Sequence, residues 1–338
     1  MENEELRLEH AIIHILDGSV GMPVLSDREL EYGSDFGDFL RAHILRISQS
    51  DDIKHCSFDK EESAVYRMLA EWQPEQFVEI SKQIAAELYG IMNANIDIPA
   101  ADLLVVQYRE GECPCLALLK MNYKTSYTHR TNADPWGNQN DVIQYKAILP
   151  GEKQKLAEAA LIGLEDFSIR LIEKKYEVNG VKTNYFSSLF LKCRGSMSSK
   201  TKLAIVGRTV ADVQKKYYAE SEQFEVQMEA KSIINQELAE KGSLDVPEVI
   251  GRIFKGNTEM EEEVREKLDK WNITDAPVAP QNPATTRKFE KQHLMTDSGI
   301  EIKIPMEAYH NKDKIEFITN PDGTISVLIK NVGHIESK

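Results

Sequence analysis

Cysteine is scarce: Cys56, Cys113, Cys115 and Cys193 are the four in 338 residues, and their spacing forms neither a disulfide framework nor a zinc site. Cys113-Pro114-Cys115 is too tight for the usual metal-ligand spacing, and strand alternation would set both sulfurs on one side. Reduced thiols in a cytoplasmic protein are the expected state. No apolar run approaches the roughly 20 residues that span a bilayer, so no membrane role is expected. The opening MENEELRLEH places acids where a secretory leader needs a basic end and an apolar stretch. The glycine patterns that cradle phosphates or dinucleotides are missing, and so is Gly-x-Ser-x-Gly. With no catalytic motif present, the expectation is a non-enzymatic protein without metal or cofactor.

Positive charge is also short, with 41 Lys and Arg against 55 Asp and Glu and a net charge of −14. One stretch breaks that rule. From Lys192 to Lys216 seven bases stand against a single acid, Asp212, a local excess of six positive charges. Such an island lets one face meet a polyanion while the remainder repels it, which confines binding to that face. Screening over about 8–10 Å makes local charge count for more than the total. Arg194-Gly195-Ser196-Met197-Ser198-Ser199-Lys200 alternates bases with small residues, whose hydroxyls and close backbone N–H groups donate to phosphate oxygens. A helix starting near Thr201 to Leu203 would add a favourable dipole. The expected phosphate contacts are Lys192, Arg194, Ser198, Lys200, Lys202, Arg208, Lys215 and Lys216. Nothing in this stretch reads base edges.

Hydrophobic periodicity outlines the rest. Glu9 to Leu16, Asp17-Gly18 and Val20 to Leu25 read as a hairpin. Phe36, Phe39, Leu40, Ile44 and Ile47 fall on one helical face, with Ser34 and Asp35 as caps. Val65, Met68, Leu69 and Trp72 set a second stripe, and Phe77, Ile80, Ile84, Leu88 and Ile91 a third, with Pro74 in its first turn. Strands are expected over Leu103 to Tyr108 and Leu116 to Met121, then an irregular polar segment from Asn122 to Asp141, then extended chain from Val142 to Leu149. A long hairpin is expected over Phe167 to Val178 and Val181 to Leu191, because Asn179-Gly180 accepts the two positive φ values of a tight turn.

Beyond Ala219 the charge inverts, with 14 acids and 7 bases over residues 219–270. Three helices are expected there: one ending near Gly242, one capped by Asp245, and one capped by Thr258 with Glu261, its stripe Met260, Val264, Leu268 and Trp271. Pro277, Pro280 and Pro283 mark a stiff linker over 276–286. Strands at Ile300 to Ile304, Lys314 to Ile318 and Thr324 to Ile329 make a small β module that needs neighbouring helices for support. The expected fold class is α+β: a mixed, mainly antiparallel sheet with helices in an N-terminal domain, 1–218, followed by acidic helices over 219–272 and the β module over 287–338.

Two weaker constellations carry chemistry. His10 and His14 lie four apart, but Ala11 stands where a zinc protease needs its glutamate. Glu301-Ile302-Lys303, with Asp297 upstream, has the acid-x-Lys form of a Mg²⁺-dependent nuclease strand if Asp313 or Glu316 adds a second carboxylate. Alternation on any exposed strand produces that pattern freely.

The order of features resembles the bacterial nucleoid-associated protein family of the NdpA/YejK type. The resemblance is carried by HAIIHILDGSVGMPVLSDRELE, DLLVVQYREGECPCLALLKM, FSSLFLKCRGSMSSKTKLAIVGRTV and the tail GIEIKIPMEAYHNKDKIEFITNPDGTISVLIKNV. It implies a cytoplasmic, nucleoid-located, self-associating protein. The expected function is DNA binding through the phosphate backbone, largely sequence-independent, by a homodimer. The alternatives are an adaptor that docks a DNA-processing or defence partner on the acidic helices, and the Mg²⁺-dependent nuclease.

Overall fold

A computed structural model describes residues 6–334 except 19, 20, 275, 310 and 321, together with 336. The chain forms two compact units, Met1–Met197 and Ser198–Lys338. The expected boundary at 218 moves upstream because the helix after Ser198 packs on the acidic helices of the second unit.

In the first unit, β1 (Leu6–Leu16), α1 (Ser34–Ser48), β2 (Lys54–Phe58), α2 (Ala64–Ala70) and α3 (Phe77–Ala94) precede the hairpin β3 (Ala101–Glu110) and β4 (Cys113–Asn122). There follow β5 (Lys124–Asp134), β6 (Gly137–Ile148), β7 (Glu158–Gly163), β8 (Ser168–Ile172), β9 (Tyr176–Val178), β10 (Val181–Thr183), a π-helical turn at Phe186–Leu191, and β11 (Cys193–Gly195). Seven strands join in the order β1-β3-β4-β7-β8-β2-β11, every neighbouring pair antiparallel.

Both faces of this sheet are covered. Leu103, Val105, Leu116 and Leu118 point into a core closed by α3, α2 and the π turn. The alternating Leu104, Val106, Ala117 and Leu119 point the other way, onto Leu40, Ile44 and Ile47 of α1. Central strands therefore read as unbroken apolar runs. Each fully buried aliphatic side chain contributes about 1.5–3 kcal/mol.

Several expectations change. Asn122 to Asp141 is not irregular: β5 and β6 make a long hairpin, joined at Pro135-Trp136. The Asn179-Gly180 turn forms, with φ of 52° and 79°, but its arms are only β9 and β10, and Phe186 onward coils into the π turn. The first hairpin's return arm is reduced to one bridge, Ile15 with Val24, and Val20 lies outside the described residues. Gly33, without a side-chain bond, precedes α1 in place of a Ser34 or Asp35 cap.

The second unit begins with α4 (Ser199–Tyr217), then α5 (Glu220–Lys241), α6 (Val246–Ile253), α7 (Thr258–Asp269) and α8 (Pro283–Glu290). Asp245 caps α6 as expected, accepting from the Glu248 N–H at 3.1 Å. Asn257 rather than Thr258 caps α7, and Trp271 is exposed rather than buried. Pro283 sits in the first turn of α8, so a helix replaces the end of the expected linker.

The β module consists of two separate hairpins, β12 (Lys291–Met295) with β13 (Glu301–Pro305), and β14 (Ile315–Thr319) with β15 (Ile325–Ile329), with α9 (Met306–Tyr309) between them. It leans on α5 as expected. Phe317 lies 5.1 Å from the Phe224 ring, and the Gln292 amide donates to Met228 Sδ at 2.8 Å. Among the described residues no helix is long and apolar enough to cross a membrane.

Among the described residues of the first unit, one ion pair is completely buried. Lys120 of β4 lies opposite Glu158 of β7, with Nζ 3.4 Å from Oε2 and both side chains fully shielded. Nζ also donates to Pro99 O at 3.2 Å and to the Asn122 amide oxygen, and the Asn122 amide donates to Glu158 at 3.1 Å. Burial pulls the Lys120 ammonium below its usual range, and the Glu158 carboxylate opposes that shift. Removing one partner leaves the other charge stranded. Lys120→Met should cost about 3–5 kcal/mol in urea unfolding, whereas Lys120→Met with Glu158→Leu should recover most of it. A double variant no more stable than the single one would contradict this.

Candidate nucleic-acid interface

The basic island is divided between the two units. In the first, the π turn ends at Lys192, whose φ of 48° and ψ of 58° reverse the chain into β11. Its Nζ lies 3.8 Å from Glu62 Oε2. Arg194, on β11 opposite Ser57, stands 88% exposed with Nη2 3.5 Å from Asp59 Oδ2. Such a solvated contact is worth well under about 1 kcal/mol, so the guanidinium can exchange it for another anion. Gly195 permits the close strand approach here, since a Cβ would fall 2.3 Å from His55 O.

In the second unit, Ser198 caps α4. Its buried hydroxyl accepts from the Thr201 N–H at 3.3 Å and donates to the Thr201 hydroxyl at 2.9 Å. This oxygen is taken up by the fold, so Ser198 leaves the set of phosphate contacts. Leu203, Val206, Val210 and Val213 form the buried face of α4. Ala204, Arg208 and Lys215 lie on the exposed one. Lys200, half-buried, precedes Ala204 by one turn on that side, and Lys202 is half-buried at the margin of the apolar face. From Lys200 to Lys215 the stripe runs about 22 Å.

The end of α4 departs from expectation. Lys216 Nζ lies 2.7 Å from Glu263 Oε2 on α7, and the Tyr217 hydroxyl donates to the same carboxylate at 2.9 Å. Lys267 binds its other oxygen at 2.8 Å. Lys216, then Lys267 and Tyr217, hold the Glu263 carboxyl down at about 2. Lys216 is thus already paired within its unit, on a carboxylate that it shares with Lys267. Lys202, Arg208 and Lys215 form no ion pair among the described residues.

A further set of cations was not anticipated. Lys231, Arg287, Lys288, Lys291 and His293 line a pocket of about 310 Å³, with no carboxylate in its wall. Spacings of one, three and four residues along α8 and into β12 bring Arg287, Lys288 and Lys291 together. That spacing was readable in the sequence, but the interleaved Glu290 masked it in a count of net charge.

The acidic helices offer fewer loose carboxylates than their composition suggests. Glu261 pairs with Arg265 at 2.7 Å and Glu263 is held as described. Glu301 and Lys303 on β13 face Met295 and His293 of β12. Glu316 is on the other hairpin, paired with Lys330. Among the described residues no three His, Cys, Asp or Glu side chains come together as metal ligands.

His10 and His14 also separate. His10 Nδ1 meets Glu29 at 2.9 Å. His14 is buried: its Nδ1 accepts from the Ser26 N–H at 3.1 Å, which leaves Nε2 as the donor to Ser81 Oγ at 3.0 Å. Ser81 in turn donates to Val78 O at 2.6 Å. The serine proton points away from the imidazole, so the pair is structural rather than nucleophilic.

Compared with known proteins, residues 12–336 match the family model described as nucleoid-associated protein YejK. No curated protein matches the chain.

Burial of His14, with a smaller contribution from the nearby Lys82 charge, lowers its pKa from 6.5 to about 4. The unfolded chain therefore binds a proton that the fold refuses. This stability is fully present above pH 6.5 and is lost as the pH falls to 4, on the order of 3 kcal/mol in all. His43, lowered chiefly by burial, acts in the same direction. Unfolding free energies measured from pH 7 to 4 should fall, and His14→Gln should flatten the fall. An equally steep fall in that variant would contradict the assignment.

Proposed function

The chain belongs to the family described as nucleoid-associated protein YejK, and on that premise we propose that it binds DNA through the phosphate backbone. Family membership associates it with the bacterial nucleoid. The observation that carries the reading is the exposed face of α4, where Arg208 and Lys215 form no ion pair among the described residues, in a chain of net charge −14. A cation already holding a carboxylate gains little from a phosphate, whereas an unpaired one releases a counterion on contact.

The contacts proposed are Lys192 and Arg194 in the first unit and Lys200, Lys202, Arg208 and Lys215 in the second, with the α8 pocket as an additional phosphate site. They act as point charges and forks rather than as base readers, so binding through them is sequence-independent. The role needs no cofactor and no catalysis, and it belongs in the cytoplasm where the nucleoid lies. We further propose a homodimer, in which a two-fold axis doubles the contact count without new residues. The adaptor reading loses weight because two of the three consecutive acids Glu261, Glu262 and Glu263 are engaged within their own unit.

About five phosphate contacts per chain give a log–log slope of binding constant against salt near −4 to −5. Arg208→Ala with Lys215→Ala should make the slope shallower by about 2 and weaken binding to all duplexes alike. A filter-binding series with a flat salt response, or a double variant with the parent's slope, would count against this site.

A further inference from the structure

The ribbon β5–β6 bonds to no other strand among the described residues, so each of its strands presents an open outer edge. Side chains over 124–133 and 137–140 are exposed, and both faces of the ribbon meet solvent. A two-stranded ribbon wet on both sides is marginal alone and presents unpaired backbone groups at its edges. Its open edges are available to a partner.

The two faces differ chemically. Pairing places Tyr127 beside Gln144, His129 beside Val142 and Thr131 beside Asn140 on one face. No carboxylate lies among them. Thr131 donates to Asn140 Oδ1 at 2.8 Å, and Gln144 Nε2 donates to the Tyr127 hydroxyl at 3.0 Å. Asn140 thus keeps its amide donor, and Gln144 its carbonyl acceptor, without a partner among the described residues. On the opposite face the carboxylate of Asp141 is muted by Arg130 at 3.6 Å, Asn132 at 3.0 Å and Gln139 at 3.5 Å. The tip is apolar and exposed, with Trp136 at 95% accessibility after Pro135.

Resting on the DNA-binding reading above, we infer that this ribbon enters the major groove of duplex DNA and reads base edges through Thr131, Asn140 and Gln144. The groove, about 12 Å wide, admits a two-stranded ribbon, and Asn and Gln amides match the donor–acceptor pair of adenine. Ten residues of strand span about 33 Å, close to one helical turn of the duplex. Charge favours the same occupant: residues 124–148 hold Lys124, Arg130 and Lys146 against Asp134 and Asp141, a positive excess within an acidic chain. A seam between two copies of the chain would favour a largely apolar face, whereas here the exposed Val142 and Tyr127 ring stand among amides, hydroxyls and an imidazole. Phosphate contacts supply affinity without sequence information, and the ribbon adds the sequence preference that they lack.

The test uses the full chain and a pool of randomised duplexes. The parent protein should enrich a defined subset, and Asn140→Ala with Gln144→Ala should lose that preference by about tenfold or more. The same variant should keep salt-dependent binding to random duplex. Two results would overturn the ribbon assignment while leaving the DNA-binding reading standing: enrichment unchanged in the variant, or a parent protein that binds random duplex and enriches nothing. A parent protein that binds no duplex would remove both. If the variant instead turns a DNA-free dimer into a monomer in sedimentation, the ribbon serves a second copy and the proposal fails.

Discussion

Whether a cation is already paired governs what this acidic chain can do with a polyanion. In the second unit Glu263 takes Lys216 and Lys267, and the buried Glu237 takes Lys241 and Arg252. In the first unit the shielded Glu173 takes Lys54, and Glu158 takes Lys120. Each such pair engages a cation with a carboxylate of its own unit, and Lys216–Glu263, Arg252–Glu237 and Lys120–Glu158 also join separate elements. What remains for an external phosphate is set by subtraction. Arg208 and Lys215 survive it; Lys216, their neighbour in sequence, does not.

A second consequence concerns where apolar residues go. The seven-stranded sheet is covered on both faces, so its central strands consume most of the first unit's large aliphatic side chains. The β5–β6 ribbon has mostly polar side chains toward both sides, with Tyr127, Val142 and Tyr145 exposed among them, and none of its residues joins either core cluster. Its sequence is organised for a wet, donor-rich surface. The open strand edges leave backbone N–H and C=O groups available for pairing, which is why the ribbon is the natural place to look for a ligand.

Much of this was legible in the residues themselves. Helices α1, α3 and α6 follow apolar stripes and turn signals that need no tertiary information. The Asn179-Gly180 turn forms because both residues tolerate positive φ. The ribbon escaped detection because strand recognition rests on alternation, and β5 has no apolar face to alternate with. Phe186 to Leu191 misled for the opposite reason: an unbroken apolar run suits a buried strand and a buried helical turn equally. The island was correctly found as composition but overestimated as a surface. Sequence density cannot show that a chain passes from one unit to the next within it, that Ser198 is a cap, or that Glu263 waits opposite Lys216.

The most direct measurement of the pairing account is lysine-acetylation footprinting, read by mass spectrometry, of the protein free and bound to duplex DNA. The account predicts that Lys202 and Lys215 lose reactivity on binding, whereas Lys216, already held by Glu263, changes little. Equal protection of Lys215 and Lys216, or protection confined to lysines outside α4, would contradict it.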